Sequence, residues 1–172
     1  NGLVGNDRII IRDRKAEICG DHVSMNLVLA DDLMNVPSDI YLMTHTTNPL
    51  MGVNTVRQAI AAFLQAKDAG TADSLFTVNK VQARFYRANC SPVNHDPKNL
   101  IPTQELEPWY EENSNLYLFT SESFVNARAR IGISPMMYQT PSLESIDIDT
   151  PEDWDLAVLA ARSQREEEQR ML

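Results

Sequence analysis

Cysteine is scarce: Cys19 and Cys90 are the two in 172 residues. No N-terminal stretch joins a positive start to an apolar core of the signal-peptide kind, so the chain reads as reduced and cytoplasmic. The cysteines do not point to zinc either. The spacings Cys19/His22 and Cys90/His95 repeat no finger pattern, and the two pairs are remote from each other in sequence.

Basic charge is equally short, with 15 Lys and Arg against 24 Asp and Glu and a net charge of -9. Such a chain repels phosphate backbones at long range and has no basic stripe to offset that, which argues against nucleic acid as a partner. A small nucleotide held through a divalent cation remains compatible. No apolar run approaches the roughly 20 residues that cross a bilayer, so no membrane partner is expected. Missing as well are a Gly-x-Gly-x-x-Gly turn, a phosphate loop with its Lys-Ser/Thr end and a Gly-x-Ser-x-Gly elbow. No recognisable loop grips a triphosphate.

What is present suits one domain spanning residues 1–172, since 43% of the residues are hydrophobic, enough for a real core. "RIIIRD" (8–13) is short, β-branched and bounded by charge, as expected for a strand buried on both faces inside a parallel sheet. Apolar residues at 23, 27, 30 and 34 then follow helical spacing until the proline of "NVPSD". "DIYLMTH" (39–45) is a second strand. Thr55 to Lys67 carries Val56, Ile60, Phe63 and Leu64 on one helical face and closes at Gly70, and "SLFTVN" (74–79) is a third strand. This alternation predicts an α/β fold with a mostly parallel sheet flanked by helices and ligands at the carboxyl ends of its strands.

Between Gln82 and Asn113 the pattern breaks. Pro92, Pro97, Pro102 and Pro108 lie there among polar residues, with Phe85, Tyr86, Trp109 and Tyr110 spread between them. The segment is no regular helix and exceeds an ordinary connection, so residues 82–113 are expected to form a protruding lobe that packs on another subunit. "NLYLFT" (115–120) returns to strand, "SESFVNARAR" reads as a short helix capped by Ser121, and "SPMMYQTP" is extended. A last helix from Pro151 to Ala161 trails into a tail charged on all sides.

Two stretches carry chemistry. In an extended strand Asp147 and Asp149 of "SIDIDTPEDW" (145–154) point one way and Ile146 and Ile148 the other, and two carboxylates on one face can hold a hard cation such as Mg2+. The competing reading is a helix start, with Thr150 as N-cap, Pro151 at the first helical position and Asp153 at N3. "THTTNP" (44–49) follows a strand where an α/β sheet opens to its ligand. Its hydroxyls, amide and imidazole suit a sugar or nucleotide, or simply a turn that caps the next helix.

Taken in order, "ICGDHVSMN", "THTTNPLM", "DSLFTV", "PTQELEPWYEENSNLYLF" and "SIDIDTPEDW" resemble the acylneuraminate cytidylyltransferase family, which includes the CMP-sialic acid and CMP-Kdo synthetases. The resemblance runs from about Arg8 to Ala161. It implies a Rossmann-like nucleotide-diphospho-sugar transferase fold and transfer of CMP from CTP to an acidic sugar, with release of pyrophosphate. It also implies Mg2+ on Asp147 and Asp149, and a homodimer built through the lobe. His45, Thr47 and Asn48 stand in a loop that the family writes Gln-Pro-Thr-Ser-Pro-Leu, so His45 replaces a glutamine. Asn113 and Tyr117 fall at positions that resemble those lining the sugar pocket, and Gln104 matches a further position before them.

One departure is large. The family opens with a strand and a Pro-Ala-Arg-x-Gly-Ser-Lys loop around the triphosphate, and residues 1–20 hold nothing like it. The chain is therefore expected to be N-terminally truncated relative to that family and inactive alone, because phosphoryl chemistry depends on cationic grip of the phosphates. The alternative expectation is a non-catalytic homologue, acting as a dimeric sugar-binding or assembly module.

Overall fold

The computed structural model describes residues 8–170. Within them runs one four-stranded sheet in the order β1-β3-β2-β4. The strands are β1 (Tyr41–Thr44), β2 (Ser74–Val81), β3 (Trp109–Phe119) and β4 (Pro135–Gln139); the helices are α1 (Met25–Asn35), α2 (Val53–Asp68), α3 (Ser121–Ala127) and α4 (Pro151–Arg170).

β2 pairs with β4 in parallel, whereas β3 lies antiparallel between β1 and β2. The sheet is mixed, not mostly parallel as the alternation of elements predicts. The lobe is the reason. It leaves the sheet after Val81 and re-enters at Trp109, and these two residues stand opposite each other. A chain that returns where it left must run backwards, while the parallel neighbours β2 and β4 are joined by a longer path through the lobe, β3 and α3.

The expected first strand is also corrected. Residues 9–15 have no regular structure, and Ile10 and Ile11 are each 67% exposed. A β-branched run favours a strand only where a ladder partner is available. Here charge draws the segment to a helix instead: Arg12 donates to Asp31 (2.6 Å) and Asp32, and the Lys15 ammonium lies 2.6 Å from Asp31. Lys15 and then Arg12 hold the Asp31 carboxyl below its ordinary range.

The core follows from the two-residue period of β3. Leu116 and Leu118 point to one face, where α2 lays Ala59 and Phe63 across them and Leu75. Tyr117 and Phe119 point to the other, against Leu29 of α1 and Phe124 of α3. Helix α3 is capped by Thr120, one residue before the expected Ser121, with Thr120 and Ser123 exchanging both bonds of a capping box. Gly132 follows it because space demands glycine: a Cβ there would fall 2.2 Å from Oδ1 of Asp73.

β3 carries an irregularity that matters for the site. Phe76 faces Tyr117 but Val78 faces Glu112, so residues 113–116 bulge opposite Thr77. The Thr77 hydroxyl fills the gap in the ladder, accepting from Leu116 N–H (2.9 Å) and donating to its carbonyl (3.2 Å). Bulges of this kind aim side chains beside functional clefts.

The lobe, residues 82–108, closes on itself by polar contacts. The Gln82 amide donates to the carbonyls of Gln104 (3.0 Å) and Leu106 (2.9 Å), and the Asn94 side chain bridges Phe85 and Ala83. Phe85 stacks on Trp109 with centroids 4.9 Å apart. Among the described residues no helix is long and apolar enough to cross a membrane.

Candidate functional site

Three pieces of chain meet at the end of β1: the loop 45–50, the bulge of β3, and the 3-10 turn Ser142–Ser145 after β4 with the extended residues 146–148 that leave it. Ile148 N–H donates to the Thr47 carbonyl (2.9 Å) and the Asn48 amide to the Ile146 carbonyl (3.4 Å). From the bulge, the Asn115 amide donates to the Glu144 carbonyl (2.9 Å). Asn113 donates to Thr140 Oγ1 (2.7 Å), Asn79 Oδ1 (3.0 Å) and Ser145 Oγ (3.1 Å). Asparagine suits these positions because a short side-chain amide can donate across the seam, to a backbone carbonyl from Asn48 and Asn115 and to neighbouring side chains from Asn113. The "THTTNP" and "SIDID" stretches are thereby sewn side by side.

Beside this seam lies an open cleft of 170 Å³, walled by Glu111, Glu112 and Ser114 of β3, by Asn79 of β2 and by Asp147. Asp147 is half-buried, and its Oδ1 is shut from solvent with no hydrogen-bond partner. Asn48 Oδ1 and Asn115 Oδ1, on the same seam, are orphaned in the same way. Buried acceptors without donors are rare in folded proteins, and a run of them marks a place where a cation or a hydroxyl donor is welcome.

Asp149 is in a different setting. The chain leaves the extended form at residues 149–150, and Asp149 is exposed at the start of α4. Helix capping accounts for residues 150–153: Asp153 accepts from the Thr150 hydroxyl (2.7 Å) and the Thr150 N–H (2.9 Å), and Thr150 Oγ1 accepts from Asp153 N–H (3.3 Å). These donors, the Thr150 hydroxyl first, hold the Asp153 carboxyl below its ordinary range.

A second cluster adjoins the cleft through Glu112. The Tyr117 ring is buried, its hydroxyl donates to Glu112, and the Arg130 guanidinium lies 3.7 Å above the ring centroid. Arg130 Nη2 donates to the Tyr117 oxygen (2.8 Å) and to Glu112 (3.3 Å), while Nη1 lies 3.3 Å from His45 Nε2. The structure thus brings His45 and Tyr117 together, with rings 6.4 Å apart.

Burial, reinforced by the bond to Glu112, pushes the Tyr117 hydroxyl up to about 12 from an ordinary 10.0. Its neutral form is favoured in the folded chain. The corresponding stability is whole below pH 10 and is lost as pH rises towards 12. An ultraviolet titration of the five tyrosines should therefore show one phenol that ionises late, and Tyr117→Phe should remove that last step. A Tyr117→Phe curve that superimposes on the parent curve would refute the assignment.

Of the residues expected at the site, Thr47, Asn48, Asn113 and Asp147 meet at the seam, and His45 and Tyr117 meet beside it. Gln104 stands apart on an exposed turn of the lobe, its side chain bonded only to Thr103. Sequence reasoning passed over Arg130, Glu112 and Asn115. Arg130 follows Arg128, whose φ of 55 ends α3 in a left-handed turn, and nothing in "NARARIG" signals that turn. Asn115 was readable as polar in an apolar strand, a pattern that marks a bulge or a site.

No family model matches the chain, and no curated protein does. Among solved structures the fold is similar to that of the 4-diphosphocytidyl-2C-methyl-D-erythritol synthase of Anaerococcus prevotii. The TM-score is 0.53 at 11% identity, covering 82% of this chain and 67% of that one. The likeness is one of fold: a mixed α/β sheet with helices.

Proposed function

We propose that this chain carries the acceptor half of a cytidylyltransferase that moves CMP from CTP to a hydroxyl of an acidic sugar of the sialic acid type and releases pyrophosphate. The observation that carries the reading is the orphaned Oδ1 of Asp147, a residue of the cleft wall, in a fold similar to that of a 4-diphosphocytidyl-2C-methyl-D-erythritol synthase. The motif resemblance supports the same reading.

The donor set fits a hard divalent cation. Among the described residues no group of three or more His, Cys, Asp or Glu could hold a metal ion. Mg2+, however, takes one or two carboxylates and completes its shell with water and substrate phosphates. Asp147 would hold it, with Asp149 as the second candidate. When bound, the cation supplies charge stabilisation to the phosphates. The chain's own residues bind and orient the acceptor: Thr47 in the loop and Ser114 on the bulge offer hydroxyls to a polyhydroxylated ligand, and the buried Asn48 and Asn113 amides hold the loop and the bulge in place. No triphosphate loop is recognisable in residues 1–172, so CTP is held through the cation on Asp147 alone, and the chain by itself binds rather than transfers.

The lobe serves as the homodimer surface in this reading, because Tyr86 (54%), Leu100 (67%) and Tyr110 (45%) stand exposed on it or next to it. Calorimetry with CTP, Mg2+ and acidic sugars tests the whole. Sugar binding together with Mg2+-dependent CTP binding is the expected result. Sugar binding without CTP selects the non-catalytic dimeric module, and binding of neither overturns both.

A further inference from the structure

An acidic acceptor meets an electrostatic obstacle in this cleft. Glu111, Glu112 and Asp147 wall it and no basic residue does, so a ligand carboxylate is repelled unless a cation lies within reach. Lys80 neighbours Asn79 on β2, but successive side chains of a strand alternate faces and turn it away. Arg130 is the cation that touches the cleft wall, through Glu112.

We propose that Arg130 reads the carboxylate of the acceptor, and that Glu112 holds the place of that carboxylate in the free chain; the inference rests on the acidic-sugar reading above. Two donors, Arg130 Nη2 and the Tyr117 hydroxyl, converge on a single oxygen, Glu112 Oε1. Convergent donors of this kind form a carboxylate site, here filled by the protein's own side chain.

The two partners of the pair are unequal. Arg130 is fixed: its guanidinium stacks on Tyr117, Nη1 meets His45 and the Met43 sulfur, and its backbone N–H donates to Asn26 Oδ1 (3.3 Å). Its side chain is 19% exposed against 41% for Glu112. The anion is thus the movable member. A ligand carboxylate that displaces Glu112 inherits both donors: Glu112 gives up a half-exposed ion pair, which is weak in water, and the Tyr117 hydrogen bond, which the incoming carboxylate remakes. Arg130 stands outside the motifs that carry the family resemblance.

Equilibrium binding of N-acetylneuraminic acid and its methyl ester, which differ in charge at one group, tests the idea by calorimetry on three proteins of verified circular dichroism. The parent chain should prefer the acid by about 10-fold, the worth of a charge-assisted hydrogen bond. Arg130→Met should abolish that preference. Glu112→Gln keeps the shape and removes the competing charge, so it should tighten the acid several-fold and leave the ester unchanged, which a merely structural Arg130 would not produce. Equal affinities in the parent chain, no binding of either sugar, or weaker acid binding in Glu112→Gln would each overturn the proposal. Mg2+-dependent CTP binding, measured alongside, belongs to the proposed function: its loss sinks that reading and leaves the acid-to-ester ratio to decide this one.

Discussion

Asp147→Asn is expected to remove the divalent cation from the cleft while leaving the fold as stable as before. With Mn2+ as the probe and CTP present, paramagnetic broadening should reach the side-chain amides of Asn48 and Asn115 in the parent chain. It should vanish in the variant, with cation affinity down by on the order of 100-fold. Stability should not fall, because Asp147 Oδ1 bonds to nothing in the protein. Replacing a partly buried, unpartnered charge by a neutral amide of the same shape removes a desolvation cost rather than a contact.

That combination, function lost and stability held, separates a ligand-facing carboxylate from one that ties loops together. Asp149→Asn is the internal comparison. If both substitutions abolish broadening, the cation takes two carboxylates; if only Asp147→Asn does, it takes one. Broadening that survives Asp147→Asn would remove the cation from this cleft. In a protein that performs CMP transfer, the same substitution should abolish CMP-sugar formation.

The sequence carried the positions of most elements but not their directions. Val56, Ile60 and Phe63 placed α2 within two residues of its observed ends, since their spacing puts them on the face that α2 turns to the sheet. Apolar runs located β1, β2 and the second half of β3. A hydrophobic pattern has no arrow, however, so the antiparallel course of β3 became visible only in the pairing of Val81 with Trp109. Its first half was missed because Trp109 to Glu112 are exposed, where the strand runs past the core as a two-stranded ribbon with β2. "RIIIRD" failed for a complementary reason: local propensity favours a strand, but Arg12 found Asp31 and Asp32 on α1.

The site divides along the same line. Residue types at 147–154 allowed both a metal pair and a helix cap, and the turn at 149–150 assigns Thr150 to Asp153 to the cap. Alternation along a strand would have kept Asp147 and Asp149 on one face. Their different exposure comes from where the extended segment stops, which depends on Ile148 bonding to Thr47 in a loop a hundred residues earlier. Long-range pairing of that sort is invisible to spacing.

Phe63→Ala is expected to have the largest effect on stability. Phe63 is fully buried on α2, packed with Ala59 against Leu75, Leu116 and Leu118. Truncation removes the transfer free energy of the ring and leaves a cavity that sheet and helix cannot close, a loss of about 3–5 kcal/mol. For a domain of this size that corresponds to a fall of roughly 6–20 °C in the unfolding midpoint, measurable by circular dichroism. The seam should suffer with it. Helix α2 begins at Val53, just after Gly52, whose N–H is held by Glu144 (2.8 Å) from the segment that carries Asp147. A loosened α2 therefore loosens the support of the cleft, and sugar affinity should fall in Phe63→Ala even below its unfolding temperature. Phe63→Leu, which refills much of the volume, should restore most of both. A midpoint that moves by less than about 2 °C in Phe63→Ala, below the shift a core truncation produces, would mean that the α2 face does not carry the core.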